Sequence, residues 1–158
     1  MTQEKKQEYT RRITQANKTQ MITIIYEMII SYLSDARDDL SLSRTAEAIR
    51  DLSYAQSCID ELIRSVNRRV ELGRMLHQIY IFSKKELIAA GATKSIHRVW
   101  KVEQNFKTLH EAYKEIEKED TSEPTMVNIQ MVYTGLTYGK HSLNDSVTCG
   151  LPNRGYTA

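Results

Sequence analysis

The sequence predicts an all-α protein, an antiparallel four-helix bundle with a non-helical or irregular C-terminal extension. Apolar residues recur at helical spacing up to about residue 120. Helix breakers are nearly absent from the same stretch, because neither proline and only Gly73 and Gly91 of the six glycines come before residue 124. These observations divide the chain into an N-terminal lead of residues 1–17, a helical body of residues 18–120 and a tail of residues 121–158.

The first two helices of the body are predicted from caps and apolar spacing. The first covers about Lys18–Leu40, with Asn17 as its N-cap and Gln20 placed to complete a capping box. Its apolar residues cover more than one face, which indicates burial on several sides or an apolar flank offered to a partner. The second covers about Ser43–Asn67 and has a heptad-like seam. The seam consists of Ala48, Leu52, Ala55, Ile59, Leu62 and Val66.

The third predicted helix covers about Leu72–Ala90, and Gly91 is expected to follow it with a positive φ. The fourth begins with Thr93 as its cap and continues to about Glu119. Short connections between helices of matched length favour antiparallel neighbours. The lead is expected to be extended or partly ordered. The inner faces are predicted as Leu72, Leu76, Ile79, Tyr80, Ser83 and Leu87 on the third helix, and Val99, Val102, Phe106, Leu109, Tyr113 and Ile116 on the fourth.

Composition and motifs argue against catalysis and against nucleic-acid binding. The formal charge of +2 is too small to indicate a nucleic-acid partner. The chain has no Glu-x-x-His pair for a di-iron site, no His-Glu-x-x-His zinc motif and no glycine-rich phosphate loop. The two cysteines, Cys58 and Cys149, lack metal-ligand spacing. We therefore expect no catalytic residues, no metal and no cofactor.

The N-terminus is hydrophilic and carries no secretion signal. The most apolar run, residues 21–33, is too short to span a membrane and contains Glu27. We therefore expect a cytoplasmic protein that does not insert into membranes. As a separate expectation, the protein is a monomer or weak homodimer.

Three stretches of the chain share an order of residues with a known family. They read Tyr9…Ile13-Thr-Gln-Ala-Asn17-Lys-Thr-Gln20-Met-Ile22-Thr-Ile-Ile25-Tyr26-Glu27…Tyr32-Leu33, then Ala55-Gln56-Ser-Cys-Ile59-Asp-Glu61-Leu62…Ser65-Val66-Asn67, then Leu76-His-Gln-Ile79-Tyr80-Ile-Phe82. From about Tyr9 to Ile116 the chain thereby resembles the flagellin-specific export chaperones of bacterial flagella. It departs from them at Lys18, where the family favours proline, and at Met28, where it favours a small residue.

The resemblance implies a cytosolic chaperone that binds the C-terminal segment of flagellin, prevents its premature polymerisation and supports its export. Flagellar export components are candidate further partners. An amphipathic client segment would dock on the bundle in the helix-in-groove mode. A helical adaptor or a regulatory protein-binding module with a different client is the alternative function.

Candidate client-binding residues lie on the lead (Tyr9 and Ile13), on the first helix (Ile22 and Ile29) and off the main seam of the second helix (Ile49 and Ile63). Each is equally well explained as part of the core. The tail contains apolar residues that would be costly to leave in water, namely Ile129, Val132, Tyr133, Leu136 and Tyr138. The tail is therefore interpreted either as an ordered extension packed on the bundle or as a segment that occupies the client groove until a client displaces it.

Overall fold

The computed structural model describes residues 2–125, which form five α-helices and no strand. The helices are α1 (Gln3–Thr14), α2 (Lys18–Ser41), α3 (Thr45–Ser65), α4 (Glu71–Thr93) and α5 (Ile96–Glu119). The all-α prediction is confirmed for this part of the chain. The predicted number of four helices is too small by one, because most of the lead forms α1.

Helix α1 replaces the extended or partly ordered lead expected from the sequence. Thr2 caps it by accepting a hydrogen bond from the backbone N–H of Lys5 at 3.4 Å. None of its residues is buried. Its only large apolar side chains are Tyr9 and Ile13, so apolar periodicity could not reveal it.

The start of α2 is the capping box that the sequence predicts. The Asn17 Oδ1 atom accepts from the Gln20 backbone N–H at 2.8 Å, and the Gln20 Oε1 atom accepts from the Asn17 backbone N–H at 3.0 Å. The Asn17 side-chain amide also donates to the carbonyl oxygens of Asp120 and Ser122, at 3.4 and 3.2 Å. One nearly buried side chain thus joins the start of α2 to the segment after α5.

The connection between α4 and α5 differs from the prediction. Gly91 lies inside α4, and the residue with positive φ is Lys94, at 55°. Thr93 is the last residue of α4 and donates its hydroxyl hydrogen to the carbonyl oxygen of Ala89 at 2.7 Å, so it does not cap α5. Ser95 is the cap instead. Two residues therefore suffice to reverse the chain.

Four of the helices surround one apolar core. Helix α2 packs against α3 and α5, helix α4 packs against the same two helices, and α1 packs on α2. Most predicted seam residues are buried, but Leu72 and Ile116 are 59% and 46% exposed. Both lie in the terminal turns of their helices. The buried core comprises Tyr26, Ile29, Tyr32, Leu33, Ala36, Leu52, Ala55, Ile59, Leu62, Leu76, Tyr80, Leu87, Ala90, Val99, Val102 and Phe106.

Gly73 permits a close backbone approach at the start of α4. A Cβ atom at this position would lie 1.9 Å from the carbonyl oxygen of Asn67, in the loop that precedes the helix. Since two atoms cannot approach so closely, any other residue at this position would displace the loop or the first turn of α4.

Candidate functional site

Helix α4 has a second apolar stripe beside its buried face. Leu72, Met75, Ile79 and Phe82 are separated by three, four and three residues, which places them on one side of the helix. Leu72, Met75 and Phe82 are 59%, 55% and 56% exposed, and Ile79 is half-buried. We call these four residues the α4 stripe. Such a row of exposed apolar side chains on one helix is typical of a surface that binds another protein.

Ile79 and Phe82 of the α4 stripe border an open groove between α4 and α5. One cavity of about 470 Å³ is lined by Ile79, Phe82 and Leu109 together with uncharged polar residues. A second cavity of about 540 Å³ shares Phe82 and Asn105 with the first and continues toward Arg98 and Lys101. We call the continuous depression the α4/α5 groove. Its centre offers apolar surface and uncharged hydrogen-bonding groups.

The order of the lining residues shows that α4 and α5 are antiparallel along the groove. Ile79 and Leu109 line one cavity, and Glu86 accepts a hydrogen bond from Arg98 at 2.8 Å close to the connection between the helices. On α5, Leu109 is followed at helical spacing by Ala112 and Ile116, which extends the same face. Ile116 is 46% exposed. The groove thus has apolar borders on both helices.

A polar cluster joins α1 to α2 and α5. The Arg12 guanidinium donates two hydrogen bonds to the Glu27 carboxylate, at 2.6 and 3.1 Å, and His110 Nε2 lies 3.3 Å from the same carboxylate. Burial acts to raise the pKa of Glu27, but the bonds from Arg12 and His110 outweigh it and hold this pKa below its ordinary value. The cluster fastens α1 to α2 and α5.

Tyr9 belongs to the surroundings of this cluster. Burial and the nearby Glu27 carboxylate raise the pKa of the Tyr9 phenol. Ile13 lies one turn further along α1 and is half-buried, as Tyr9 is. Ile22 on α2 is also half-buried and packs against the core. These three candidate client contacts have accessible surface on the α1 and α2 side, and none of them lines the α4/α5 groove.

The remaining described candidates divide between surface and core. Ile49 is 49% exposed, and Ile63 is half-buried against the core. Ile29 has no exposed surface and lies inside the core. Its selection as a client contact therefore needs correction, since a side chain enclosed by α2 and its neighbours has no surface to offer. The candidate tail residues Ile129, Val132, Tyr133, Leu136 and Tyr138 lie outside the described residues.

The sequence reasoning did not select Leu72, Met75 and Phe82 as binding residues. A signal for them exists, because the α4 stripe has the same spacing as the buried seam but is displaced around the helix. Two apolar rows on one helix indicate that one of them faces something other than the core.

The described residues contain no group of three or more His, Cys, Asp or Glu side chains that could hold a metal ion. None of the helices between residues 2 and 125 is long and apolar enough to cross a membrane. The features present are a helical body, an exposed apolar stripe and an open groove with uncharged polar groups at its centre. Together they define a helical protein-binding module.

Comparison with protein families shows which module this is. Residues 1–120 match the family described as flagellar protein FliS, so the chain belongs to the FliS family. This is a family of flagellar export chaperones that bind flagellin-type clients, and it is not an enzyme family. Comparison with curated proteins gives no match. The family match ends where α5 ends, and residues 121–158 lie beyond it.

Proposed function

We propose that this protein binds the C-terminal segment of flagellin in the cytoplasm, prevents premature polymerisation of that segment and supports its export. The observation that carries the proposal is the α4/α5 groove, which Ile79 and Phe82 of the exposed α4 stripe border. Membership of the FliS family makes flagellin the client class to test first. The protein acts as a monomer or weak homodimer, and flagellar export components are the partners that receive the client.

The groove fits the helix-in-groove mode of recognition. In that mode, an amphipathic helix lays apolar side chains at helical spacing onto an apolar surface. Phe82, Met75 and Leu72 are each more than half exposed in the free protein, so a docked helix would remove substantial apolar area from water. Completing the burial of one such side chain contributes about 1 kcal/mol, taken as half of the value for full burial.

The α4 stripe alone does not account for tight binding. A client segment that folds on binding uses about 2–5 kcal/mol of the gross interaction energy for its own ordering. The stripe therefore acts as the anchor, and further contacts must add to it. We propose Tyr9, Ile13, Ile22, Ile49 and Ile63 as these additional contacts, since each retains accessible surface.

The experiment compares two exposed apolar residues on α4. Phe82 belongs to the stripe, whereas Ile88 is 54% exposed and lies about a third of a turn away from Phe82 around the helix. Titration calorimetry would measure binding of the C-terminal flagellin segment from the same organism to the unmodified protein and to the variants Phe82→Ala and Ile88→Ala. We expect binding with a negative heat-capacity change, as apolar burial requires.

Phe82→Ala is expected to weaken binding at least tenfold, because a partly exposed aromatic side chain at the centre of an interface is a typical hot spot. Ile88→Ala is expected to change the affinity less than twofold. Equal effects of the two substitutions would show that the groove is not the client site. Absence of binding by the unmodified protein would refute the flagellin assignment and leave the alternative, an adaptor or regulatory module with another client.

A further inference from the structure

Helix α4 has a third row of residues, displaced around the helix from both the buried face and the α4 stripe. Its members are adjacent in sequence or separated by three or four residues, so they lie on one side of the helix. None of them is buried, and none is acidic. We call this set the outer row of α4, and it consists of Arg74, His77, Ile81, Lys84, Lys85 and Ile88. A helix face that combines cations with isoleucines is typical of a surface for an anionic partner that also has an apolar layer.

Much of the positive charge of the outer row has no partner inside the protein. Arg74 and Lys85 are exposed, and neither forms an ion pair with any residue that the structure describes. Lys84 is different, because its Nζ atom donates to both carboxylate oxygens of Asp60 on α3, at 2.7 and 2.8 Å. The two unpaired cations are therefore available to an external anion.

The loop before α4 adds two more cations near Arg74. The Asn67 carbonyl oxygen would lie 1.9 Å from a Cβ atom at Gly73, so the loop is folded closely onto the first turn of α4. The Arg69 backbone N–H donates to Asn67 Oδ1 at 3.0 Å, which holds the loop in a turn. Arg68 and Arg69 are both exposed and form no ion pair between residues 2 and 125.

The acidic side chains at this end of the bundle leave the middle of the outer row positive. Glu71 in the first turn of α4 and Glu119 in the last turn of α5 are exposed and pair with no arginine of the described chain. Glu61 on α3 is paired with Arg64. Lys85 lies 14 positions after Glu71, or about 21 Å along the helix. Because the screening length is about 8 Å at physiological ionic strength, Glu71 does not cancel the charge of Lys85.

The surface beside the outer row is closed between α3 and α4. The contact of Lys84 with Asp60 bridges the two helices at the middle of the row. Further along, a Cβ atom at Gly91 would lie 3.8 Å from Leu52 Cδ1, so the α4 backbone lies close to α3 there. Neither cavity of the α4/α5 groove is lined by a residue of the row. A closed surface with cations spread along it suits a flat partner better than a helix that inserts into a groove.

We propose that the outer row of α4 and the loop before it dock the protein on the surface of an anionic lipid bilayer. The cations lie at the lipid phosphates, and Ile88, which is 54% exposed, faces the apolar boundary beneath the headgroups. Docking is peripheral and reversible, and α4 stays part of the bundle. An acidic protein is the competing partner, but the closed surface and the spread of the cations favour a planar one.

The expected strength of docking follows from the unpaired cations. A basic side chain near an anionic leaflet contributes about a fivefold increase in binding. Arg74 and Lys85 are 11 positions apart, which corresponds to about 16 Å along α4. This distance is about twice the screening length, so the two contributions multiply. Loss of both cations should therefore weaken docking about 25-fold.

Vesicle sedimentation tests the proposal on the full-length protein. One set of vesicles contains equal parts of phosphatidylglycerol and phosphatidylcholine, and the other contains phosphatidylcholine alone. The double variant Arg74→Gln/Lys85→Gln removes two charges from the outer row. The matched control Lys5→Gln/Arg11→Gln removes two exposed, unpaired charges from α1 of the described chain. Helix α1 packs on α2, which lies diagonally opposite α4 in the bundle. Circular dichroism would verify that both variants keep the helix content of the unmodified protein.

We expect the unmodified protein to sediment with the anionic vesicles and not with phosphatidylcholine alone. The outer-row variant should bind the anionic vesicles about 25-fold more weakly, whereas the control should stay within twofold of the unmodified protein. Binding should be lost in about 1 M salt, where the screening length is about 3 Å.

Three outcomes would overturn the proposal. The first is that the unmodified protein does not bind anionic vesicles. The second is an equal loss in the two double variants, because net charge and not the outer row would then explain the binding. The third is that polyglutamate displaces nothing from vesicles but binds the free protein in a manner that only the outer-row variant loses, which would assign the row to an acidic protein partner. None of these outcomes depends on the flagellin titration.

Discussion

Ile29 and Ile49 are both candidate client contacts from the sequence, but truncating them to alanine is expected to change the free energy of unfolding by very different amounts. Ile29 has no exposed surface, whereas Ile49 is 49% exposed. Ile29→Ala removes three buried carbon atoms, which corresponds to about 2.4 kcal/mol of transfer free energy. The cavity left behind adds to this, so the free energy of unfolding should fall by about 3–4 kcal/mol. Ile49→Ala should change it by less than about 0.5 kcal/mol.

Thermal unfolding followed by circular dichroism would measure the difference between the two variants. For a body of this size, a loss of about 3 kcal/mol lowers Tm by roughly 10 °C. Binding of the flagellin segment, measured well below Tm, should be unchanged by Ile29→Ala, since the residue has no accessible surface. If Ile29→Ala lowers Tm no more than Ile49→Ala, or weakens binding without lowering Tm, the assignment of Ile29 to the core is wrong.

Three further results are expected. Gly73→Ala should lower the free energy of unfolding by more than about 1 kcal/mol, because its Cβ would lie 1.9 Å from the Asn67 carbonyl oxygen; an unchanged urea midpoint would contradict this. Because the pKa of Glu27 is lower in the folded protein than in the unfolded chain, its carboxylate stabilises the fold at pH values above the unfolded pKa, and this contribution is lost as the pH falls through the folded pKa. Glu27→Gln should therefore make the free energy of unfolding depend less on pH in the acid range. A curve parallel to that of the unmodified protein would refute the Arg12 contact. Removal of residues 125–158 should raise flagellin affinity if the tail competes for the groove, and unchanged affinity would end that hypothesis.

The features that could be predicted from the sequence are those encoded within a few neighbouring residues. The capping box of Asn17 and Gln20 is local, and the structure has it as predicted. The seam from Ala48 to Leu62 repeats often enough to fix the buried face of α3. In contrast, α1 contains only two large apolar residues, so its helical state depends on caps and on the Arg12 contact with a distant residue.

Features that depend on neighbouring helices could not be predicted in the same way. Leu72 continues the apolar pattern of α4 but is exposed, since periodicity does not show where the covering helix ends. The glycine at position 91 suggested a helix end, yet Lys94 adopts the left-handed conformation instead. The choice between core and groove for Ile79 and Phe82 likewise requires the position of α5, which no local pattern of α4 contains.

The hydrogen bonds that join Asn17 to Asp120 and Ser122 have a consequence for the order of folding. They close a chain of more than 100 residues, since their sequence separations are 103 and 105. Closing a flexible loop of that length costs roughly 4 kcal/mol of chain entropy. This cost falls sharply once α2 to α5 have assembled and the loop ends are already near each other, so these bonds should form after the rate-limiting step. Weakening them should accelerate unfolding and leave the folding rate almost unchanged. The Asn17 side chain is thus expected to slow the unfolding of the native state without speeding its formation.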